Sequence, residues 1–366
     1  MENNWFALAV GLAFGLSGCG SDNGGSSTTP SWQVVGTAGF TPKAADYTSL
    51  ALDKDGVPYV AFQDFANSYR ASVMRFDGTA WVAVGSPGLS SGTAQFTTLA
   101  MRDGVPYVAF ADGANRLTVM KFDSANWGTV GVPAISDGEA DEISISWGST
   151  GGPYVAFQDA TRGFKASVSR FDGVQWTAVG IAGFSLAEAW DLSLAVDRDV
   201  PYVAFQDQAN GGRAHVMKFD GSTWVDVGDP GVSQAGASSV VLTVDNGTVY
   251  VAYQDMGTER PGKATVRRYD GTAWADLGSP GFSDAEAWGL SLAVDNRTLY
   301  LAFEDGARVG RATVMKFDGT RWDSVGAPGV SEQDTSMLSL SVRAGVPTLA
   351  FGDGAHHGGA TVLVYR

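Results

Sequence analysis

The sequence predicts an all-β fold, a closed ring of seven blades with four antiparallel strands in each, the architecture of a β-propeller. Three observations predict it. A Trp marker recurs seven times at a period near 48 residues, four strand-like runs fall inside every period, and the array ends in two incomplete fragments that complete one another.

The marker is a Trp followed three residues later by Val or Leu and then Gly, at Trp32, Trp81, Trp127, Trp176, Trp224, Trp274 and Trp322. A second marker, PYVAFQD, recurs at Tyr59, Tyr154 and Tyr202 and as PYVAFAD at Tyr107, then degrades through VYVAYQD at Tyr250 and LYLAFED at Tyr300 to PTLAFGD around Leu349. A third, ASVMRFDG in its variants, starts at Ala71, Leu117, Ala166, Ala214, Ala264, Ala312 and Ala360.

Each element of a period follows from its residues. Ser49–Asp53 (SLALD) is a short run bounded by the turn residues Asp53-Lys54-Asp55-Gly56, which read as a hairpin rather than a calcium loop; so does Asp197-Arg198-Asp199. VPYVAFQD is rich in β-branched and aromatic residues, and RASVMRFDG runs into the turn Asp77 to Ala80 before the Trp strand WVAVG. No run has the length or period of a helix. Large residues alternate with small ones, as in Leu192-Ser193-Leu194-Ala195-Val196, which fits strands buried on both faces. SLALD is placed innermost and the Trp strand outermost. The last copy stops after ATVLVYR without a Trp strand, and Trp32 to Gly36 is a Trp strand without a blade. Joining them closes the ring and leaves no exposed sheet edge.

The layout resembles kelch-type and WD-repeat propellers, and the Trp-x-x-Val-Gly marker is similar to that of tectonin-like lectin propellers. The kelch Gly-Gly pair and the WD dipeptide are absent, and Asp-Gly-x-x-Trp is one residue shorter than the sialidase Asp-box. The resemblance covers residues 32–366 and is one of architecture.

Composition removes whole classes of function. A net charge of −15 repels a phosphate backbone or an anionic bilayer surface, so no nucleic-acid partner is expected. A single Cys excludes a disulfide framework, and three His without a Cys cluster exclude the usual zinc signatures. HExxH, GxSxG, a Walker loop and GxGxxG are all missing, so the sequence names no catalytic residue, metal ligand or cofactor.

At the N-terminus, Trp5 to Leu16 is an apolar run too short to span a bilayer and reads as the h-region of a signal peptide over residues 1–18. Leu16-Ser17-Gly18-Cys19, which contains the only Cys, resembles the lipobox of bacterial lipoproteins. That resemblance implies cleavage before Cys19, a lipid on its thiol as the membrane contact, and, with Gly20 next, the outer membrane or cell surface as location. Residues 19–31 form a Gly/Ser/Thr tether, leaving 32–366 as the propeller.

Residues present in every copy serve the blade. The Asp ending PYVAFQD (Asp64, Asp112, Asp159, Asp207, Asp255, Asp305, Asp353) and the base before the third strand (Arg70, Arg116, Lys165, Arg213, Lys263, Arg311) flank one hairpin, so an Asp–Arg/Lys pair across its mouth is expected, with a ring of ligand-binding carboxylates as the alternative. Arg75, Lys121, Arg170, Lys218, Arg268 and Lys316 form a second repeated basic position. The seventh blade lacks both bases, and its His356-His357 are loop residues, metal ligands or a substitute partner for Asp353. His215 stands where most blades have Ser or Thr and reads as a strand residue.

Variation concentrates in the loop entering the innermost strand. The pair before that strand reads Asp46-Tyr47, Gln95-Phe96, Asp141-Glu142, Trp190-Asp191, Ser238-Ser239, Trp288-Gly289 and Ser336-Met337, and Glu139, Glu188 and Glu286 precede it in three blades. Aromatic faces beside carboxylates suit sugar rings, whose C–H faces stack while their hydroxyls need acceptors. Tyr47, Asp141, Glu142, Glu188, Trp190, Asp191, Glu286 and Trp288 are therefore the candidate ligand-binding residues, at one mouth of the central channel, unless Trp190 and Trp288 plug the cores between blades. The expected function is a surface-anchored, non-catalytic module for a protein or glycan ligand. The alternative is a polysaccharide lyase or glycoside hydrolase using carboxylates such as Glu188 and Asp191.

Overall fold

The computed structural model describes residues 29–366, of which Ser31–Arg366 form one compact unit. The signal-peptide segment, Cys19 and the tether up to residue 28 lie outside the described residues. Among the described residues no helix is long and apolar enough to cross a membrane.

Seven antiparallel sheets of four strands form the ring. Blade 1 is Ala45–Leu52, Pro58–Asp64, Arg70–Phe76 and Trp81–Ala83, from axis to rim. Blades 2 to 6 repeat that order. Blade 7 takes Thr335–Arg343, Val346–Asp353 and Gly359–Tyr365 from one end of the chain and Trp32–Val34 from the other. The closing pair has the register Trp32↔Tyr365, Gln33↔Val364 and Val34↔Leu363. Pairing begins one residue before the expected boundary, because the Ser31 amide donates to the Arg366 carbonyl at 2.9 Å.

The second strands are buried on both faces, as the large–small alternation requires, and each apolar core is shared by two neighbouring blades. The Trp marker explains how blades lock at the rim. Each Trp indole N–H donates to the carbonyl of the Val or Leu in the preceding marker, from Trp81 to Val35 (2.8 Å) round to Trp32 to Val325 (2.7 Å). The Gly that follows has to be Gly. At Gly36 (φ +73°) a Cβ would lie 2.9 Å from the Phe76 ring and 3.2 Å from the Trp81 ring. Nearer the axis a strand Ser accepts from the next blade's Leu amide, as Ser49 does from Leu99 (2.9 Å). Five of the seven junctions have this bond, and in blade 5 Val241 stands in the place of the Ser.

The repeated Asp does not pair with the base before the third strand. It caps the hairpin turn in every blade, is buried in six, and in five accepts the hydroxyl of the third strand: Asp64 takes the Ala66 amide (2.9 Å) and the Ser72 hydroxyl (2.7 Å). The base reaches instead to the loop that follows the outer strand, where Arg116 and Arg311 donate to the Ser136 and Ser331 carbonyls (3.0 and 2.6 Å). Where the Asp meets a cation, the turn itself supplies it, as with Arg162 on Asp159 (2.6 Å) and Arg260 on Asp255 (3.2 Å). In blade 7 His356 is the substitute partner, its Nδ1 3.0 Å from Asp353. His215 is more than a strand residue, because it takes the hydroxyl's role in blade 4: Nδ1 lies 3.1 Å from Asp207 and Nε2 2.9 Å from Asp226.

Candidate functional site

The variable pair sits on a β-bulge repeated in every blade, where register slips between the pair and the rest of the first strand. Its second residue is left-handed in all seven copies: Tyr47, Phe96, Glu142, Asp191, Ser239, Gly289 and Met337 have φ between +50° and +54°. Only one of these is Gly, so the surrounding sheet imposes the conformation. The repetition makes it a property of the blade, and the side chains displayed there are free to differ.

Four consecutive blades bring these side chains together. Tyr47 and Phe96 approach to 5.2 Å between ring centroids, and burial together with Asp46, Glu142 and Asp141 pushes the Tyr47 hydroxyl pKa up. Glu142 is pushed up to about 7, chiefly by burial and then by Asp191 and Asp141. Burial also raises Asp191, although the Ser239 and Val240 amides hold its carboxylate from the next blade. Asp141 is raised by burial and by Glu139.

The tryptophans do not plug the cores, being 46% (Trp190) and 42% (Trp288) exposed. The Trp190 indole N–H donates to Glu188 at 3.2 Å. Trp288 and Glu286 converge over Gly306, where a Cβ would lie 3.2 Å from each. Blade 5, with Ser238-Ser239, separates the two Trp–Glu pairs. All seven Glu of the described residues lie on this face, in the hairpin ends and loops around the mouth: Glu139, Glu142, Glu188, Glu259, Glu286, Glu304 and Glu332. Among the described residues no three His, Cys, Asp or Glu side chains converge to hold a metal ion.

Glu304 was missed in the sequence, although the change from QD to ED in the second marker signals it. In two blades the Gln there bridges to the next blade, Gln63 to the Ala94 carbonyl (2.7 Å) and Gln206 to the Ala237 carbonyl (2.5 Å). A carboxylate has no proton to donate. Burial, then Asp334, pushes Glu304 up to about 7. The folded state therefore holds a proton that the unfolded chain releases near 4.5, and stability falls as pH rises from about 4.5 to 7. Glu304→Gln should gain about 1–2 kcal/mol at pH 8, solvent screening having reduced the full shift, and nothing below pH 4.5. Thermal melts at pH 8 and pH 4 check this; an equal change at both would rule it out.

No family model matches the chain, and no curated protein matches it. Among solved structures it is similar to a protein of unknown function from Dyadobacter fermentans, at 13% identity and TM-score 0.51, covering 92% of this chain and 97% of that one. It is similar also to the Aleuria aurantia lectin in complex with Fucα1-6GlcNAc, at 15% identity and TM-score 0.50, covering 80% and 97%. A third is the Trypanosoma rangeli sialidase in complex with 2,3-difluorosialic acid, at 13% identity and TM-score 0.50; the match covers 92% of this chain but 59% of the sialidase. At these identities the shared property is the fold, and the chain is a seven-bladed β-propeller.

Proposed function

We propose that the loop face around the channel mouth binds glycans without catalysis, on a protein held at a bacterial outer membrane or cell surface by lipidated Cys19. The observation that carries the reading is the exposure of Trp190 and Trp288 beside Glu188 and Glu286, which offers sugar C–H faces a ring and sugar hydroxyls an acceptor. Two of the similar propellers hold saccharides, which agrees with it. On a glycan array, Trp190→Ala/Trp288→Ala should lose at least tenfold in binding with a shift in melting temperature of no more than a few degrees, because exposed loop residues add little to the cores. Loss of about 3 kcal/mol of stability with binding intact would show them to be packing residues.

One observation favours a hydrolase as second reading. Glu142, held near 7 beside Asp191, meets the protonation requirement of a general acid at neutral pH. It is better placed for this than Glu188, whose carboxylate is exposed and accepts from Trp190. Turnover of a glycoside by the full chain, abolished in Glu142→Gln, would establish this reading and displace the binding module.

A further inference from the structure

The opposite face, built from the first-to-second and third-to-outer turns, carries clefts between neighbouring blades. Those between blades 3 and 4 and between blades 7 and 1 measure about 600 and 660 Å³, and that between blades 5 and 6 about 1040 Å³. The large one lies at the loosest junction. Hairpin-to-hairpin bonds tie this face at five junctions, through Arg102, Asp199, Arg198, Asp295 and Arg343. Among the described residues none is found between blades 5 and 6, where Val241 also removes the inner Ser bond. No other junction lacks both.

The charges in that cleft are unequal in their freedom. Its carboxylates are committed: Asp276 to Arg267 (2.8 Å), and Asp318 to the Thr320 and Arg321 amides (2.7 and 2.8 Å). Arg321 is in turn paired with Asp323 (2.9 Å). Arg268 and Arg297, from different blades, have no hydrogen-bond or ion-pair partner among the described residues. Both act on the Tyr250 hydroxyl, where burial and then Asp245 raise the pKa while Arg268 and, less strongly, Arg297 oppose the rise. Leu299 and Phe317 give the cleft an apolar wall.

We propose that this cleft is a second site, for a carboxylated saccharide whose carboxylate is received by Arg268 and Arg297 and whose ring lies against the half-buried Phe317. Two unpaired guanidiniums match the planar geometry of a carboxylate, and the aromatic wall matches a sugar C–H face. The acidic mouth on the other face repels the same ligand, so the two sites are chemically distinct. Calorimetric titration of the full chain with trigalacturonate should show binding that weakens as NaCl is added, with none for neutral maltotriose. Arg268→Gln/Arg297→Gln should weaken it at least tenfold with an unchanged melting temperature, and Trp190→Ala/Trp288→Ala should leave it intact. The proposal is overturned by equal binding of maltotriose, by absence of trigalacturonate binding, by unchanged affinity in the arginine variant, or by its loss in the tryptophan variant.

Discussion

Removal of residues 1–36 is expected to unfold or aggregate the propeller, whereas removal of residues 1–30 leaves its melting temperature unchanged. The first described pairing to the last blade is made by Ser31, so the shorter deletion takes nothing from the ring. The longer one removes Trp32, whose ring lies 5.5 Å from that of Tyr365 and whose indole N–H ties blade 7 to Val325 of blade 6. It also removes Val35, 5% exposed in the core between blades 7 and 1. Truncation of a core Trp costs about 3–5 kcal/mol, and the half-buried Trp32 together with the buried Val35 loses a comparable amount, a large fraction of a total stability of about 5–15 kcal/mol. The third strand of blade 7, Gly359–Tyr365, would then present an unpaired edge to other chains. Scanning calorimetry of the two truncated chains decides the matter, and equal midpoints would refute closure by this strand.

The ring was legible in the sequence because every blade repeats the same statement. Trp-x-x-Val-Gly encodes both partners of the rim bond, the carbonyl that accepts and the Gly that clears the next Trp, so its recurrence fixed the blade count. The variable pair could be located but its geometry could not. Tyr, Phe, Glu, Asp, Ser, Gly and Met share no preference for a left-handed backbone, and only the tertiary bulge imposes one. The Asp–Arg expectation failed for a related reason. Asp64 and Arg70 are opposite one another in register, yet the carboxylate is already filled by the Ala66 amide, the Asn67 side chain and the Ser72 hydroxyl, partners nearer to it than the base. Departures from the repeat were readable too: Glu304 in place of Gln places a carboxylate where other blades have an amide or a small residue, and Val241 in place of Ser removes the inner bond between blades 5 and 6. A comparison of copies that looks for agreement passes over such single substitutions.

That revised role for the repeated Asp leads to the largest expected effect of a single substitution. Asp159→Ala should cost about 3 kcal/mol or more, while Lys165→Gln, at the opposite register position, should cost less than about 0.5 kcal/mol. Asp159 is 2% exposed; one carboxylate oxygen accepts the amide and hydroxyl of Thr161 (3.1 and 2.6 Å), and the other accepts Arg162 (2.6 Å) and the Ser167 hydroxyl (3.2 Å). Ala would leave that turn uncapped and the buried Ser167 hydroxyl without an acceptor, while Ser167 continues to accept from the Gly183 amide at 2.8 Å. The charge of Arg162 would also lose its buried partner, keeping only the exposed Asp137 at 3.2 Å. Lys165 has no side-chain hydrogen bond or ion pair among the described residues, because both oxygens of its register partner Asp159 are filled by Thr161, Arg162 and Ser167. Urea titrations of both variants separate the two accounts: a larger loss for Lys165→Gln than for Asp159→Ala would restore the cross-hairpin ion pair, and a large loss for Asp159→Ala alone shows the carboxylate to be the keystone of the turn.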